Sequence, residues 1–238
     1  MKRKVRKVVE RPAKKQAPSA RAAAKKKKGT WGGKRVGAGR PRRSDETVAH
    51  AARPTHSRQF PVHITLRMAD SVPSLRKPRT FAAVREAFAE GREQDGFRLT
   101  HYSVQEKHVY MIVEAVDKAA LSRGMQALCI RIARGVNRVA GRNGRLLAER
   151  YEAKVLKTVQ EVRQAIVDVL RNTQSRGRAN GWDFDTCTSA PEFDGFRAEG
   201  KQPAPVVPRE TTAEPKYSTL LRNGWRKLGL VSRNEISR

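Results

Sequence analysis

From Phe60 onward the chain alternates: Val62, Ile64, Leu66 and Met68 interleave with His63, Thr65 and Arg67, the period-two pattern of a strand with one buried face. Pro73 and Pro78 punctuate a loop. Thr80 then precedes Phe81, Val84 and Phe88 at helical spacing, which predicts a helix of about three turns. After Gly91 and Gly96 come two more strand-like runs, Phe97 to Val104 and His108 to Glu114, joined by Gln105, Glu106 and Lys107, a hairpin-length connection. Lys118 to Val139 puts Leu121, Met125, Leu128, Ile132 and Val136 on one face and Arg131, Arg134 and Arg138 on another, an amphipathic helix that Gly141 to Gly144 ends. Glu149 to Leu156 has the composition of a strand. Thr158 then has the place of an N-cap for a helix whose buried stripe is Val162, Ile166, Val169 and Leu170 and whose polar face holds Gln164, Asp168 and Asn172.

That order of elements predicts an α+β fold, an antiparallel sheet with helices packed on it. Beyond Gly177 five prolines, at 191, 203, 205, 208 and 215, break up any long element, and only Tyr217 to Val231 recovers an amphipathic pattern. The expected organisation is an arm over 1–58, a core over 59–178 and an extension over 179–238 that lies on the core.

Charge changes this picture most. The 238 residues hold 51 Lys and Arg against 23 Asp and Glu, a net of +28, which points to a polyanionic partner. Residues 1–43 contain 18 of those cations and a single acid, Glu10, so +17 sits in the first fifth of the chain and +11 in the rest. With 38% hydrophobic residues overall, the arm has too little apolar surface to offset the entropy of ordering and is expected to be disordered when free. Cys129 and Cys187 make neither a disulfide framework nor a zinc cluster. No apolar run approaches a membrane span of about 20 residues, so a soluble protein in a reducing compartment, with no membrane partner, is expected.

Within the arm, Gly39-Arg40-Pro41, flanked by Lys34, Arg35, Arg42 and Arg43, resembles the core of an AT-hook, whose extended backbone lets arginine enter a narrow minor groove. Ala38 stands where the fuller motif has a second arginine. A solubility tail or a localisation signal are the competing readings of the same run. In the core, Arg123, Arg131, Arg134 and Arg138 recur at helical spacing, with Arg142 and Arg145 beyond them. Such a stripe either tracks phosphates or forms a solvated helix face.

Four stretches carry a resemblance to a family. They are Phe60 to Arg67, Ser103 to Ala115, Gly124-Met-Gln126 opening the arginine-rich helix, and Arg150 to Lys154; Trp31 to Pro41, Phe193 to Phe196 and Gly224-Trp225 add to them. In order and spacing the chain resembles the single-tyrosine HUH transposases, and within them the REP-associated branch, over roughly residues 31 to 230. The resemblance implies a ferredoxin-like HUH core that binds a hairpin or single-stranded DNA end and cuts it. Two histidines separated by one apolar residue hold a divalent cation, Mg²⁺ or Mn²⁺. A tyrosine on a later helix attacks the phosphodiester, and a polar residue one helical turn on completes the metal shell. It also implies a bacterial cytoplasmic, nucleoid-associated protein. Monomer and homodimer both remain open.

This chain departs from that pattern at both critical points. The His-apolar-His position reads His108-Val109-Tyr110, and the position of the helical tyrosine falls on Asp168, with Asn172 four residues on as the remaining candidate ligand. An acyl phosphate at Asp168 would hydrolyse far more readily than a tyrosyl phosphate. The reading favoured on these residues is a transposase-family DNA-binding protein that has lost cleavage. An active enzyme with a rearranged site at His108, Tyr110 and Asp168 is the alternative, and a basic RNA-binding or ribosome-associated protein is a third, from another class. Deleting residues 1–43 is expected to weaken DNA binding and to flatten its dependence on salt, because each phosphate contact contributes roughly 0.9 to the salt slope; an unchanged slope rules out phosphate contacts by the arm.

Overall fold

The computed structural model describes residues 55–171, 185–197 and 210–236. Lys34, Arg35, Arg40, Arg42 and Arg43 of the arm, and Asn172, lie outside them. The elements run β1 (Val62–Arg67), α1 (Pro78–Gly91), β2 (Glu93–Gln94), β3 (Phe97–Val104), β4 (His108–Ala115), α2 (Lys118–Val139), β5 (Glu152–Val155) and α3 (Val159–Leu170), with short helices α4 (Thr219–Arg222) and α5 (Arg233–Ile236) in the extension. The strands form one sheet in the order β2-β3-β4-β1-β5, every neighbouring pair antiparallel. This is the α+β architecture expected of the sequence. The split βαβ connectivity places β1, the first strand, between the last two, β4 and β5.

Alternation then divides the strands' side chains between two layers. Val62, Ile64 and Leu66 of β1 and Val109, Met111 and Val113 of β4 face α1 and α2, where they meet Val84, Phe88, Leu128, Ile132 and Val136. The opposite face is covered by α3 and the extension, with Ile112 of β4 packed among Val162, Ile166, Phe193, Phe196 and Trp225.

Local chemistry accounts for the helix boundaries. α1 starts at Pro78, two residues before the Thr80 boundary expected from the sequence, because proline at the first helical position has no N–H to lose and a preset φ. The Thr80 hydroxyl lies in that first turn, 3.0 Å from the Ser74 carbonyl and 3.1 Å from that of Lys77. Asp117 caps α2 by accepting the Ala120 N–H at 2.7 Å. Thr158 and Glu161 close a reciprocal capping box on α3. Gly124 lets α2 approach the sheet: a Cβ there would sit 2.2 Å from the Phe97 ring. The strand expected over 149–156 shortens to Glu152–Val155.

The extension does more than lie on the core. The Val104 N–H donates to the Cys187 carbonyl at 2.8 Å and the Ser189 N–H to that of Tyr102 at 2.9 Å, so residues 187–189 pair with an edge of β3 that would otherwise be open. Arg76 grips Asp185 through both nitrogens, at 2.7 and 2.8 Å. Glu114, fully buried on β4, accepts the backbone N–H groups of Lys216 and Ser218, each at 2.7 Å. Burial pushes its carboxyl above the usual range, against the pull of those donors. Replacing Glu114 with Ala is expected to leave both N–H groups unsatisfied, at about 1–3 kcal/mol each. Urea unfolding should register that loss, and limited proteolysis should cut residues 210–218 faster than in the parent.

Candidate nucleic-acid interface

The polar positions of β1 and β4 share the sheet face that α3 partly covers. Register pairs Thr65 with Tyr110 and Arg67 with His108, while β5 sets Lys154 opposite His63 and Glu152 opposite Thr65. Three rings consequently stand in a row. The rings of His63 and Tyr110 lie 6.1 Å apart with planes 4° from parallel, and those of Tyr110 and His108 lie 6.1 Å apart at 12°. All three are half-buried, and Arg67 and Lys154 are exposed beside them.

Asp168 comes from α3, whose other face is fastened by Val162, Ile166, Val169 and Leu170. It is exposed and accepts a hydrogen bond from the Gln164 amide at 2.8 Å. Its charge is felt at His63: burial lowers that imidazole below the ordinary histidine range, Asp168 opposes the shift, and Lys154 adds to it. The sequence expectation placed Asp168 with His108. The structure brings out His63 as the imidazole coupled to it. The signal for His63 was present in the alternation of β1, which puts it on the polar face, but only the register with β4 sets it beside Tyr110.

His108 has a phenol at the next position on its face, and among the described residues no three His, Cys, Asp or Glu side chains are grouped to hold a metal ion. Two other potential nucleophiles, Tyr102 and Cys129, are unsuited to chemistry. Burial raises the Tyr102 phenol to about 12 and the Cys129 thiol to about 11.

The arginine stripe lies on the other side of the sheet. At 100° per residue, Arg123, Arg131, Arg134 and Arg138 fall within an arc of about 80° on α2. Arg123, Arg134 and Arg138 are exposed and Arg131 half-exposed. A groove of about 550 Å³ between α1 and α2 is lined by Arg131, Arg134 and Arg138 together with Glu86, Glu90 and the exposed Ile130. Arg138 reaches Glu86 at 3.3 Å and Arg131 reaches Glu90 at 3.8 Å. Exposed pairs like these are worth about 0–1 kcal/mol, little hindrance to a competing phosphate. Arg142 does not extend the stripe freely: it donates to Asn137 at 2.9 Å and Ser71 at 3.1 Å, holding the turn after α2.

No family model matches the sequence, and no curated protein matches it either. Among solved structures, the chain is similar to a REP-associated tyrosine transposase bound to a REP hairpin, at 12% identity and a TM-score of 0.48, over 70% of this chain and 98% of that one. It is also similar to a candidate transposase from Deinococcus radiodurans, at 13% identity and a TM-score of 0.35, over 51% of this chain and 96% of that one. A C-terminal segment of the α subunit of aIF2 from Pyrococcus abyssi follows at 12% identity and 0.27, over 46% and 53% of the two chains.

The lowered His63 gives a pH signature. The unfolded chain takes up this proton near the ordinary value of 6.5, whereas the folded protein takes it up only at lower pH. Stability from the neutral ring is therefore complete above pH 6.5 and lost as pH falls through the folded value. His63→Gln is expected to flatten the decline in Tm below pH 6.5, as followed by circular dichroism.

Proposed function

We propose that the protein binds hairpin or single-stranded DNA ends as a transposase-type DNA-binding protein, and that it does not cut them. The observation that carries this reading is the make-up of the ring-bearing face. Where the resemblance expects a second imidazole there is Tyr110, and where it expects a tyrosine on a later helix there is Asp168 on α3, hydrogen-bonded to Gln164. A carboxylate at that place cannot form the durable tyrosyl phosphate that strand transfer requires. The α2 stripe supports DNA as the partner, since four arginines on one arc suit a phosphate track, and the net charge of +28 supports a polyanion in general.

A second reading keeps activity by moving the nucleophile to Tyr110, and the ring geometry favours it to one extent: that phenol stands between two imidazoles. One assay separates the two. Purified protein with Mg²⁺ or Mn²⁺ is expected to shift a hairpin oligonucleotide in a gel without nicking it. Metal-dependent nicking that disappears in His108→Ala would establish the second reading and overturn the first.

A further inference from the structure

The helical side of the sheet carries charges of both signs, and a phosphate track has no need of Glu86 and Glu90. We infer that the outer face of α1 and α2 pairs with the same face of a second copy of this chain, around a two-fold axis that runs along the groove between the two helices.

The groove joins an apolar floor to two rows of opposite charge. Ala83, Ala87 and Ala127 form the floor, and Ile130 stands in it with 43% of its surface exposed, one of two exposed large hydrophobic side chains among the described residues. Glu86 and Glu90 of α1 make one wall, and Arg131, Arg134 and Arg138 of α2 make the other. A lone exposed isoleucine is ordinary. An isoleucine set between an acidic row and a basic row has the make-up of a seam between helices.

The two rows match a copy of themselves. Glu86 lies level with Arg138, at 3.3 Å, and Glu90 with Arg131, at 3.8 Å, so α1 and α2 run antiparallel. Rotation by a half turn about an axis parallel to the helices exchanges left and right and keeps every level. It lays α1 of one copy on α2 of the other, with Glu86 opposite the partner's Arg138 and Glu90 opposite the partner's Arg131. A half turn about an axis across the helices would stack α1 on α1 and acid on acid. Charge therefore selects one of the two aligned symmetric pairings. In that pairing the two Ile130 side chains meet at the axis, in the centre of a four-helix arrangement.

Size sets the strength. α1 and α2 have 14 and 22 residues. As helices about 21 and 33 Å long and roughly 10 Å wide, they cover roughly 500 Å² per copy and roughly 1,000 Å² in the pair, the lower limit of a specific interface. The contact is weak and forms in the micromolar range. The net charge of +28 on each chain opposes it, but that repulsion is screened beyond about 8 Å at physiological salt, whereas the facing rows are in contact. DNA on the same arginines would displace the second copy, so the two uses of α2 alternate, and the inference stands independently of the DNA-binding reading.

The test is sedimentation velocity on the full chain, without DNA, over a concentration series at physiological salt. The parent is expected to pass from monomer to dimer as its concentration rises through the micromolar range. Ile130→Glu should weaken the association about tenfold or more, as loss of a central interface side chain does. Two paired reversals, Glu86→Arg with Glu90→Arg and Arg131→Glu with Arg138→Glu, change exposed or half-exposed positions. Each reversed chain alone should stay monomeric, and their equimolar mixture should pair, because only then does an acidic row meet a basic one. Far-ultraviolet circular dichroism checks that the variants fold, and the parent with Ile130→Glu decides the matter if a reversed chain does not. A parent that is monomeric throughout, an Ile130→Glu chain that pairs as tightly as the parent, reversed chains that pair alone, or a mixture of folded reversed chains that stays monomeric overturns the proposal.

Discussion

β4 is buried on both sides for half its length, and most of the molecule follows from that. Met111 through Ala115 are all fully buried, so Met111, Val113 and Ala115 need one apolar layer and Ile112 and Glu114 need another. The first is the pair α1 and α2. The second cannot come from α3 alone, a helix of 12 residues, and the extension supplies the remainder through Phe193, Phe196 and Trp225. A carboxylate at the centre of such a strand is tolerable only with donors pointed at it. The N–H groups of Lys216 and Ser218 meet that need and thereby fix where the extension crosses the sheet.

The same strand opens at its other end. His108 lies past the second layer and Tyr110 at its border, and both stay partly exposed, next to His63 and Arg67 of β1. The candidate interface is the uncovered remainder of a face that is elsewhere sealed. Its functional groups therefore sit on strands, where backbone pairing holds them rigidly, and only Asp168 and Gln164 come from a helix. The arginines of α2, on the far side of the sheet, form a separate surface, so any nucleic acid touching both would have to pass around the edge.

Much of the architecture could be read along the chain because each element carries its own period and its own punctuation. α2 runs from Lys118 to Val139 as the spacing of its apolar residues requires, and α3 begins behind a capping box whose two members are three positions apart. β1 alternates cleanly between buried and partly exposed positions. Legibility fell where the decisive contact was remote. α1 begins at Pro78, ahead of Thr80, whose hydroxyl meets the carbonyls of Ser74 and Lys77 before the helix. β2 is two residues long and exists only by pairing with β3. The edge pairing of residues 187–189 has no local signature at all.

The candidate site divides along the same line. Residue identity alone determined that His108 is followed on its face by a phenol, that Asp168 stands on α3 where a tyrosine was expected, and that four arginines share one arc of α2. These are facts of one strand or one helix, and a fixed period of two or 3.6 residues makes them readable without a fold. Only the tertiary structure decided that His63 joins Tyr110 and His108, that Asp168 acts on His63, and that the arginine stripe faces away from the rings. Each of these depends on the register between strands or on which side of the sheet a helix packs. Such relations are set by long-range burial, which the order of residues along a single element does not encode.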